Sequence, residues 1–451
     1  MIEHVVIIGG GFAGTLQAIN LLRHDGPVAT LIERRAQAGE GVAYGDADAA
    51  HVLNVRAANM SAFPDRPDHF VAWLADSGHD ADPSAFVQRV VYGQYLRSLL
   101  RAACAAQPNR LRIVHDAATD LSLTGETISV ELESGAALEA DAAVLAVGNL
   151  PPHTPPGIDP DALPAHLYLG DPWHGDPAEK LGPEDHVLIL GTGLTMVDMV
   201  LKLRRHGFRG RITAMSRRGL APKRHAAQAN FEPIGVRPPA TASRLVRAVR
   251  ARADQVGWRN AVDELRPFTQ SLWRAASEAG RRRFVRHLRP WWDIHRHRIA
   301  PEIAEALDED LRTGRLAIIA GKLASATPSP DGGIAVSFRP RGDAELRETG
   351  FSRIINCTGP QGDLRRTDEP LLRTLAERGV LRPDRARLGI DVDAQSRVVS
   401  AGGRTSDHLL AIGPMTRGAF WEIVAVPDIR VQTWRVARRL SNAHWVGGEG
   451  L

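Results

Sequence analysis

The sequence predicts an α/β fold with two similar domains, the second of which carries a helical insertion. A short apolar run enters a glycine-rich turn and then a helical pattern at residues 4–22, and the same succession recurs from residue 187. The stretch 226–315 has helical spacing and holds four of the nine tryptophans. Each repeated unit has the order of elements of a Rossmann-like dinucleotide-binding domain.

The length and composition exclude several classes of protein. The 451 residues are enough for two or three domains, and 43% of them are apolar. No apolar run approaches the roughly 20 residues of a membrane span, and no signal-peptide pattern is present, so we expect a cytoplasmic protein without membrane contacts. The net charge of +4 is small for this length, and we expect no nucleic-acid partner.

The first domain begins with a strand, a glycine-rich turn and a helix. Residues 4–8 are a β-branched run that leads into Gly9-Gly10-Gly11-Phe12-Ala13-Gly14, after which apolar residues recur with helical spacing. A second strand at residues 29–32 ends at Glu33 and completes a βαβ unit. Further strands are predicted at residues 112–115, 117–123, 128–132 and 142–147.

The second domain repeats this order after a linker, where proline and glycine cluster between residues 150 and 183. The predicted elements that follow are a strand and turn at 187–193, a helix, a strand at 211–215, short strands from 316 to 340, and a closing strand at 351–359. A last strand, turn and long helix at 407–440 return to the first domain. We therefore assign residues 1–150 and 361–451 to the first domain, 151–225 and 316–360 to the second, and 226–315 to the insertion.

The turn at residues 9–14 has the composition that a dinucleotide pyrophosphate needs. Glycines let the backbone approach the phosphates, whose charge is met by the N-terminus of the following helix. Glu33 lies at the interval at which such folds place an acid that accepts hydrogen bonds from ribose hydroxyls, and it would repel a 2′-phosphate. This first site should therefore prefer FAD or NAD to NADP; a turn used for packing alone and a solvated acid are the alternatives. The residues expected to line it are Gly9, Gly11, Phe12, Ala13, Gly14, Glu33 and Arg34.

A second glycine-rich turn begins at Gly191 and lacks the third glycine. The residues expected to line it are Gly191, Gly193, Leu194 and Thr195. After the next strand come Ser216, Arg217 and Arg218, whose hydroxyl and guanidinium groups would hold the 2′-phosphate of NADPH by charge-assisted hydrogen bonds. Because arginine is abundant in this chain, a solvated arginine pair is the alternative. We expect the second site to bind NADPH in preference to NADH.

Further segments follow one another over nearly the whole chain in a specific order. They are Gly41-Val42-Ala43-Tyr44, Leu53-Asn54-Val55, Met60-Ser61-Ala62-Phe63, Tyr92-Gly93, the turn from Gly191 to Asp198, Ser216-Arg217-Arg218-Gly219, His295-Arg296-His297-Arg298, Trp421-Glu422 and Ala425-Val426-Pro427. In this order they resemble the bacterial FAD-NAD(P)-binding family, which is related to the two-dinucleotide-domain flavoprotein monooxygenases. The resemblance implies two Rossmann-like domains, with FAD and NADPH as cofactors.

The resemblance also implies further residues near the flavin. The larger group has a strand that ends in glycine, matched here by Gly148, and a late Gly-Asp pair on the ribityl chain, matched by Gly413 and a proline in place of the acid. A fingerprint with histidine and aromatic residues is matched loosely at residues 166–174, where packing between domains is the alternative. The residues that we expect to face the flavin as catalytic candidates are Asn54, Trp173, His174 and Trp421.

Residues 286–298 concentrate arginine, histidine and tryptophan. One interpretation is a clamp for the phosphates of the nicotinamide cofactor or for an anionic substrate. The other is an amphipathic helix with an exposed basic face and a buried tryptophan face. No cluster offers cysteine or carboxylates beside histidines at metal-ligand spacing, so no metal site is expected.

The expected chemistry depends on cofactors alone. Cys104 and Cys357 are far apart and neither lies in a Cys-x-x-Cys pair, so a redox-active disulfide has no support. The resemblance implies an FAD-dependent, NADPH-using monooxygenase that oxygenates a small molecule with dioxygen through a hydroperoxyflavin. The alternatives are an NAD(P)H-dependent flavin reductase or oxidase without oxygen insertion, and a non-catalytic sensor that binds FAD and NADPH.

Overall fold

The computed structural model describes residues 2–226 and 234–441. Residues 227–233 of the predicted insertion and 442–451 of the predicted first domain lie outside the described residues, as does Met1. The strands are β1 (His4–Ile8), β2 (Val28–Ile32), β3 (Leu111–Val114), β4 (Ala118–Thr124), β5 (Thr127–Leu132), β6 (Ala137–Ala140), β7 (Ala142–Leu145), β8 (Tyr168–Leu169), β9 (His186–Leu190), β10 (Arg211–Ser216), β11 (Leu316–Pro328), β12 (Ile334–Pro340), β13 (Arg347–Phe351), β14 (Arg353–Asn356), β15 (Arg397–Val399) and β16 (Thr405–Ala411). The α-helices are α1 (Phe12–Arg23), α2 (Gly41–Gly45), α3 (His69–Asp76), α4 (Arg89–Ala106), α5 (Leu194–Arg205), α6 (Ala242–Asp263), α7 (Thr269–Ala275), α8 (Glu278–Arg283), α9 (Arg289–Arg296), α10 (Pro301–Arg312), α11 (Pro370–Glu377) and α12 (Val426–Leu440).

The chain divides into two compact units. The first unit contains the residues up to Ala47, Val55–Leu150 and those from Gln361 onward; the second contains Asp48–Asn54 and Pro151–Pro360. We expected residues 48–54 in the first domain, but their contacts place them in the second unit. The buried His51, for example, has its Nε2 3.0 Å from the carbonyl oxygen of Asp198 in α5.

A six-stranded sheet forms the centre of the first unit, in the order β15-β16-β7-β1-β2-β3. The neighbouring pairs from β16 to β3 are parallel, and β15 pairs with β16 in the antiparallel direction at one edge. After His4, strand β1 is a continuous apolar run, as expected for a strand with both faces covered. Val5, Val6 and Ile7 are fully buried. Strands β4, β5 and β6 form a separate antiparallel sheet, of which β6 was not predicted.

The second unit contains a seven-stranded sheet in the order β13-β12-β11-β10-β9-β14-β8. The pairs from β8 to β11 are parallel, whereas β11–β12 and β12–β13 are antiparallel. Strand β11 is one strand of 13 residues, where we expected short ones. Its first part, Leu316–Ala320, pairs with β10 and the rest pairs with β12, so it joins the two kinds of pairing. The two largely parallel sheets confirm the predicted α/β fold class.

The predicted insertion is helical in its described residues. It contains α6 to α9, and a π-helical turn at Phe284–Leu288 leads into α9. Gly257 interrupts α6 with a positive φ of 77°, a conformation that glycine adopts without steric cost. Helix α10 was also predicted as part of the insertion, but it packs on the seven-stranded sheet. Its residues Ala304 and Leu307 are buried with the core residues of β9 and β10. Among the described helices, none is both long and apolar enough to cross a membrane.

Candidate nucleotide-binding sites

The first glycine turn connects β1 to α1 and requires glycine for steric reasons. A Cβ on Gly9, whose φ is +105°, would lie 2.5 Å from the carbonyl oxygen of Ala146, just beyond β7. A Cβ on Gly14 would lie 1.8 Å from the carbonyl oxygen of Gly9. Gly11 precedes α1 without a side-chain cap, and the first turn of the helix has no acidic residue. The helix N-terminus is therefore available to an anion at the carboxyl edge of the sheet.

Glu33 follows β2 at the same edge and is buried. One of its oxygens accepts a hydrogen bond from the Gly10 amide at 2.8 Å, and the other accepts one from the Arg35 amide at 2.9 Å. These bonds hold the carboxylate beside the turn and leave lone pairs for further donors such as ribose hydroxyls. Arg34, in contrast, points to the surface, where its Nη2 lies 2.9 Å from Glu369 Oε2.

The other residues predicted for this site also lie in the first unit. Phe12 and Ala13 are buried in the first turn of α1. Gly413 follows β16 with a φ of +78°, and a Cβ there would lie 3.2 Å from the Cβ of Ala13. Its amide donates to Gln432 Oε1 at 2.8 Å, so it is held by α12. Gly148, with a φ of +71°, has open space where a Cβ would be.

Sequence reasoning missed a segment that packs on the first turn. Gly41 has a φ of +60°, and its Cβ would lie 3.0 Å from the Cα of Gly11. The Gly39 amide donates to the carbonyl oxygen of Gly10 at 2.8 Å. Glu40 between them is buried and paired with Arg97. The two glycines around an acid are a signal in the sequence for this close approach.

The second glycine turn connects β9 to α5 in the same way. Gly191 has a φ of +110°, and a Cβ there would lie 2.1 Å from the carbonyl oxygen of Cys357, just beyond β14. Gly193 precedes α5 without a side-chain cap. Leu194 and Thr195 form the first turn of this helix. The place of the third glycine is taken by Met196, which is fully buried in the core of the unit, so its absence does not disturb the turn.

Ser216 and two arginines lie at the end of the neighbouring strand β10. The Ser216 hydroxyl lies 2.8 Å from Thr192 Oγ1 and accepts a hydrogen bond from the Gly219 amide at 3.1 Å. Arg217 is exposed and Arg218 is partly exposed. Neither guanidinium group forms a hydrogen bond or ion pair with any residue that the structure describes. Two cations without a counter-charge among the described residues therefore follow Ser216 at the carboxyl edge of the second sheet.

The four catalytic candidates are divided between the units. Trp421 lies in the first unit and is buried, with the Arg417 guanidinium carbon 4.4 Å from its ring centroid. Asn54, Trp173 and His174 lie in the second unit. The backbone oxygen of Asn54 accepts a hydrogen bond from the His225 ring at 3.0 Å.

Trp173 and His174 have different surroundings although they are adjacent. Trp173 packs on the core of the second unit, and its ring meets the His51 ring edge-to-face at 6.0 Å. The side chain of His174 is 66% exposed, and its Nδ1 lies 2.7 Å from Asp171 Oδ2. Trp173 is thus partly buried against the core of its unit, whereas His174 is largely exposed.

The two thiols are poorly placed for redox chemistry. Cys104 lies in the first unit and Cys357 in the second, and neither forms a disulfide. Burial raises the pKa of both thiols, which disfavours the reactive thiolate. In the described part of the chain, no group of three or more histidine, cysteine or acidic side chains is placed to hold a metal ion.

Comparisons with known proteins agree with this arrangement. Residues 6–150 match the family model described as FAD-NAD(P)-binding. The comparison with curated proteins found no match. The fold is similar to that of ornithine hydroxylase from Pseudomonas aeruginosa, with 15% identity, 98% of this chain and 99% of that chain covered, and a TM-score of 0.67. Ornithine N-hydroxylase from Kutzneria sp. 744 has 17% identity, coverage of 98% and 99%, and a TM-score of 0.66.

A thioredoxin reductase from Lactococcus lactis shares the architecture as well. It has 12% identity, coverage of 98% of both chains and a TM-score of 0.56. At these identities the likeness shows the fold alone.

Proposed function

We propose, from the match of residues 6–150 to the FAD-NAD(P)-binding family, that the chain is an FAD-dependent, NADPH-using oxidoreductase and that it is a monooxygenase acting on a small molecule. The observation that carries the proposal is the difference between the two glycine turns. The first lies beside the buried Glu33, and the second lies beside Ser216 and two unpaired arginines. A chain with both turns would hold two different dinucleotides.

The first unit fits FAD. The glycine turn leaves room for a pyrophosphate at the N-terminus of α1, and the Glu33 carboxylate would accept hydrogen bonds from the adenosine ribose. Gly413 and Gly148 border the same sheet edge, and neither presents a side chain to an extended cofactor. Because Pro414 stands where relatives carry an acid, the backbone near Gly413 would contact the ribityl chain.

The second unit fits NADPH. The turn from Gly191 would hold the pyrophosphate, and Ser216, Arg217 and Arg218 would hold the 2′-phosphate. The Ser216 hydroxyl is already oriented by Thr192 and Gly219, so little further ordering of it is needed on binding. The uncompensated arginines favour a dianionic phosphate over the neutral ribose of NADH.

The choice of a monooxygenase depends on what accepts the electrons. When bound, the flavin would accept a hydride from NADPH and pass electrons to dioxygen. The protein offers no paired thiols as an alternative acceptor, since its cysteines lie in different units. The Kutzneria neighbour is described with reduced FAD, NADP+ and L-ornithine, which supports a small-molecule substrate. We further propose a cytoplasmic location.

The residues of the chain would bind, orient and shield these cofactors. We retain Asn54, Trp173, His174 and Trp421 as candidates for groups that face the flavin. Trp421 is the one in the same unit as the FAD turn, and its burial beneath Arg417 would keep water from that part of the unit. The exposed His174 is the least shielded of the four.

A flavin reductase or oxidase is the second candidate function. It is favoured by the likeness to a thioredoxin reductase. The alignment with that protein covers 98% of this chain, the same share as the alignment with ornithine hydroxylase. The absence of a Cys-x-x-Cys pair in the sequence counts against a disulfide as the acceptor.

Stopped-flow absorbance of the FAD-loaded protein tests the proposal. The protein is mixed with NADPH without oxygen, and then with oxygenated buffer. We expect the oxidised-flavin spectrum to disappear, and oxygen to produce a transient species that differs from both oxidised and reduced flavin. Direct return of the oxidised spectrum would favour the reductase or oxidase. Failure of NADPH to reduce the flavin would favour a non-catalytic sensor.

A further inference from the structure

The helical insertion concentrates positive charge on elements other than those that carry the two glycine turns. Residues 242–298 contain 14 arginines and five acidic residues, a net charge of +9 in 57 residues. The other 394 residues carry 42 basic and 47 acidic side chains, a net charge of −5. A general preference for arginine does not account for this, because arginine makes up 14 of the 57 residues but only 38 of the other 394.

A groove on the insertion is lined by apolar side chains and by part of this charge. It lies between the first turns of α6 and the π-helical turn at Phe284–Leu288. The groove is open to solvent and has a volume of about 400 Å³. The residues that line this arginine groove are Ala242, Ser243, Val246, Arg247, Arg250 and Leu288. Its lining is therefore mixed, with apolar side chains beside two arginines.

Five arginines on α6, α8 and the π-helical turn have no partner among the residues that the structure describes. They are Arg244, Arg247 and Arg250 on α6, Arg283 at the end of α8 and Arg286 in the π-helical turn. All five are exposed, and none forms a hydrogen bond or ion pair with another residue in the described ranges 2–226 and 234–441. The spacing of three residues keeps Arg244, Arg247 and Arg250 on one side of α6.

Other arginines of the insertion are used for folding. Arg252 is paired with the buried Glu264 at 2.7 Å, and Arg298 is buried and paired with Asp263 at 2.8 Å. The unpaired arginines lie on elements distinct from β10, at whose end Arg217 and Arg218 stand. The groove is therefore a second cationic feature, separate in the sequence and in its supporting helices from the proposed 2′-phosphate site.

We propose that the arginine groove is a docking site for an acidic amphipathic helix of a partner protein. Such a helix would place apolar side chains on Val246 and Leu288 and carboxylates on the five free guanidinium groups. A nucleic acid would contact the guanidinium groups through its phosphates but would leave the apolar side chains of the groove without a partner. Interfaces are enriched in arginine and tryptophan, and the insertion also exposes Trp258 and Trp291, which are 46% and 45% accessible.

The test uses a fluorescein-labelled synthetic helix of about 18 residues, the length of a typical groove-bound helix, with leucine at positions i, i+3, i+4 and i+7 and glutamate elsewhere. Fluorescence anisotropy is recorded with the FAD-loaded full chain at about 0.15 M salt, where long-range attraction is screened. A scrambled peptide of the same composition and a single-stranded oligonucleotide are the comparison probes. We expect saturable binding of the helix that is at least about tenfold tighter than binding of the scrambled peptide.

The variant R247E/R250E should weaken binding of the helix by at least about tenfold, because it reverses the two charges that line the groove. The matched control R373E/R404E makes the same charge change at exposed, unpaired arginines of the first unit and should leave binding within about twofold. FAD content and thermal unfolding are measured for both variants, so that loss of fold or of cofactor is detected separately. If R247E/R250E does not fold, R247Q/R250Q replaces it.

Several results would overturn the proposal. An equal loss in the groove variant and in the control, or equal affinity for the scrambled peptide, would assign the attraction to net charge alone. Tighter binding of the oligonucleotide that is lost in R247E/R250E would make the groove a nucleic-acid site. If the helix shows no saturable binding, the docking proposal is wrong, whatever the result of the flavin experiments.

Discussion

Individual glycines in the two turns are required by contacts with distant parts of the chain. Gly9 and Gly191 both have φ values above 100°, and a Cβ on either would lie 2.5 Å or less from a carbonyl oxygen beyond a neighbouring strand. The third position differs, because Gly14 faces the carbonyl oxygen of Gly9, whereas Met196 is buried in the core of its unit. Two turns that connect a strand to a helix in the same way thus need different numbers of glycines.

The double variant R217A/R218A should separate NADPH from NADH. We expect the dissociation constant for NADPH to rise at least about a hundredfold, because each of the two charge-assisted bonds to the 2′-phosphate contributes about 1.5–3 kcal/mol. The constant for NADH should change by less than about threefold, since NADH lacks that phosphate. Both are measured by titration calorimetry. R373A/R404A, which removes two exposed and unpaired arginines elsewhere, is the control. If both dissociation constants rise equally, Arg217 and Arg218 do not bind the 2′-phosphate.

Among the elements, α5 and α10 of the second unit are joined by a buried ion pair. Asp310 in α10 is buried, and its Oδ2 lies 2.7 Å from Arg204 Nε in α5. Its Oδ1 lies 2.9 Å from Arg315 Nη2, directly before β11. Arg204 also donates to the carbonyl oxygens of Phe208 and Gly210. This network fixes the end of the helix whose beginning carries the second glycine turn.

Replacing Asp310 with asparagine should destabilise the second unit by about 3 kcal/mol, because it leaves a largely buried guanidinium without its counter-charge. Urea denaturation measures the effect. The control is Glu309→Gln on the same helix, where the Arg312–Glu309 pair is exposed and a change within about 0.5 kcal/mol is expected. A similar loss in both variants would show that the helix, and not the buried pair, is sensitive to charge.

On the scale of the whole molecule, both units contain histidines whose pKa is lowered by folding. Burial lowers the pKa of His24 and His69 in the first unit, and neighbouring arginines lower the pKa further. Burial also lowers the pKa of His186 and His295 in the second unit. The unfolded chain therefore binds more protons than the folded chain just below pH 6.5, the ordinary pKa of histidine.

Stability should consequently fall as the pH is lowered from 7.5 to 5.5. Each histidine contributes a loss of at most about 1.4 kcal/mol per pH unit while its unfolded form is protonated and its folded form is not. Asp384 opposes this trend, because burial raises the pKa of its carboxyl, but four imidazoles outweigh one carboxyl. Thermal unfolding at several pH values measures the effect, with pH 7.5 to 8.5 as the control range. An unfolding temperature that is constant or rises on acidification would contradict the prediction.

Local signals in the sequence determined the two strand–turn–helix units, because their residues lie within about 30 positions of one another, as a βαβ unit requires. The first turn and Glu33 were found in this way, and the structure places that carboxylate on the Gly10 amide. The predicted α/β class and the helical character of the insertion followed from the same periodicities.

Only the tertiary structure decided which distant segments meet. It brings Ala146 against Gly9 and Cys357 against Gly191, contacts that no local pattern specifies. It also assigns Asp48–Asn54 to the second unit, although the flanking residues belong to the first. The physical reason is that hydrophobic periodicity reports which residues are buried, whereas the partner against which they are buried is selected by packing across the whole chain.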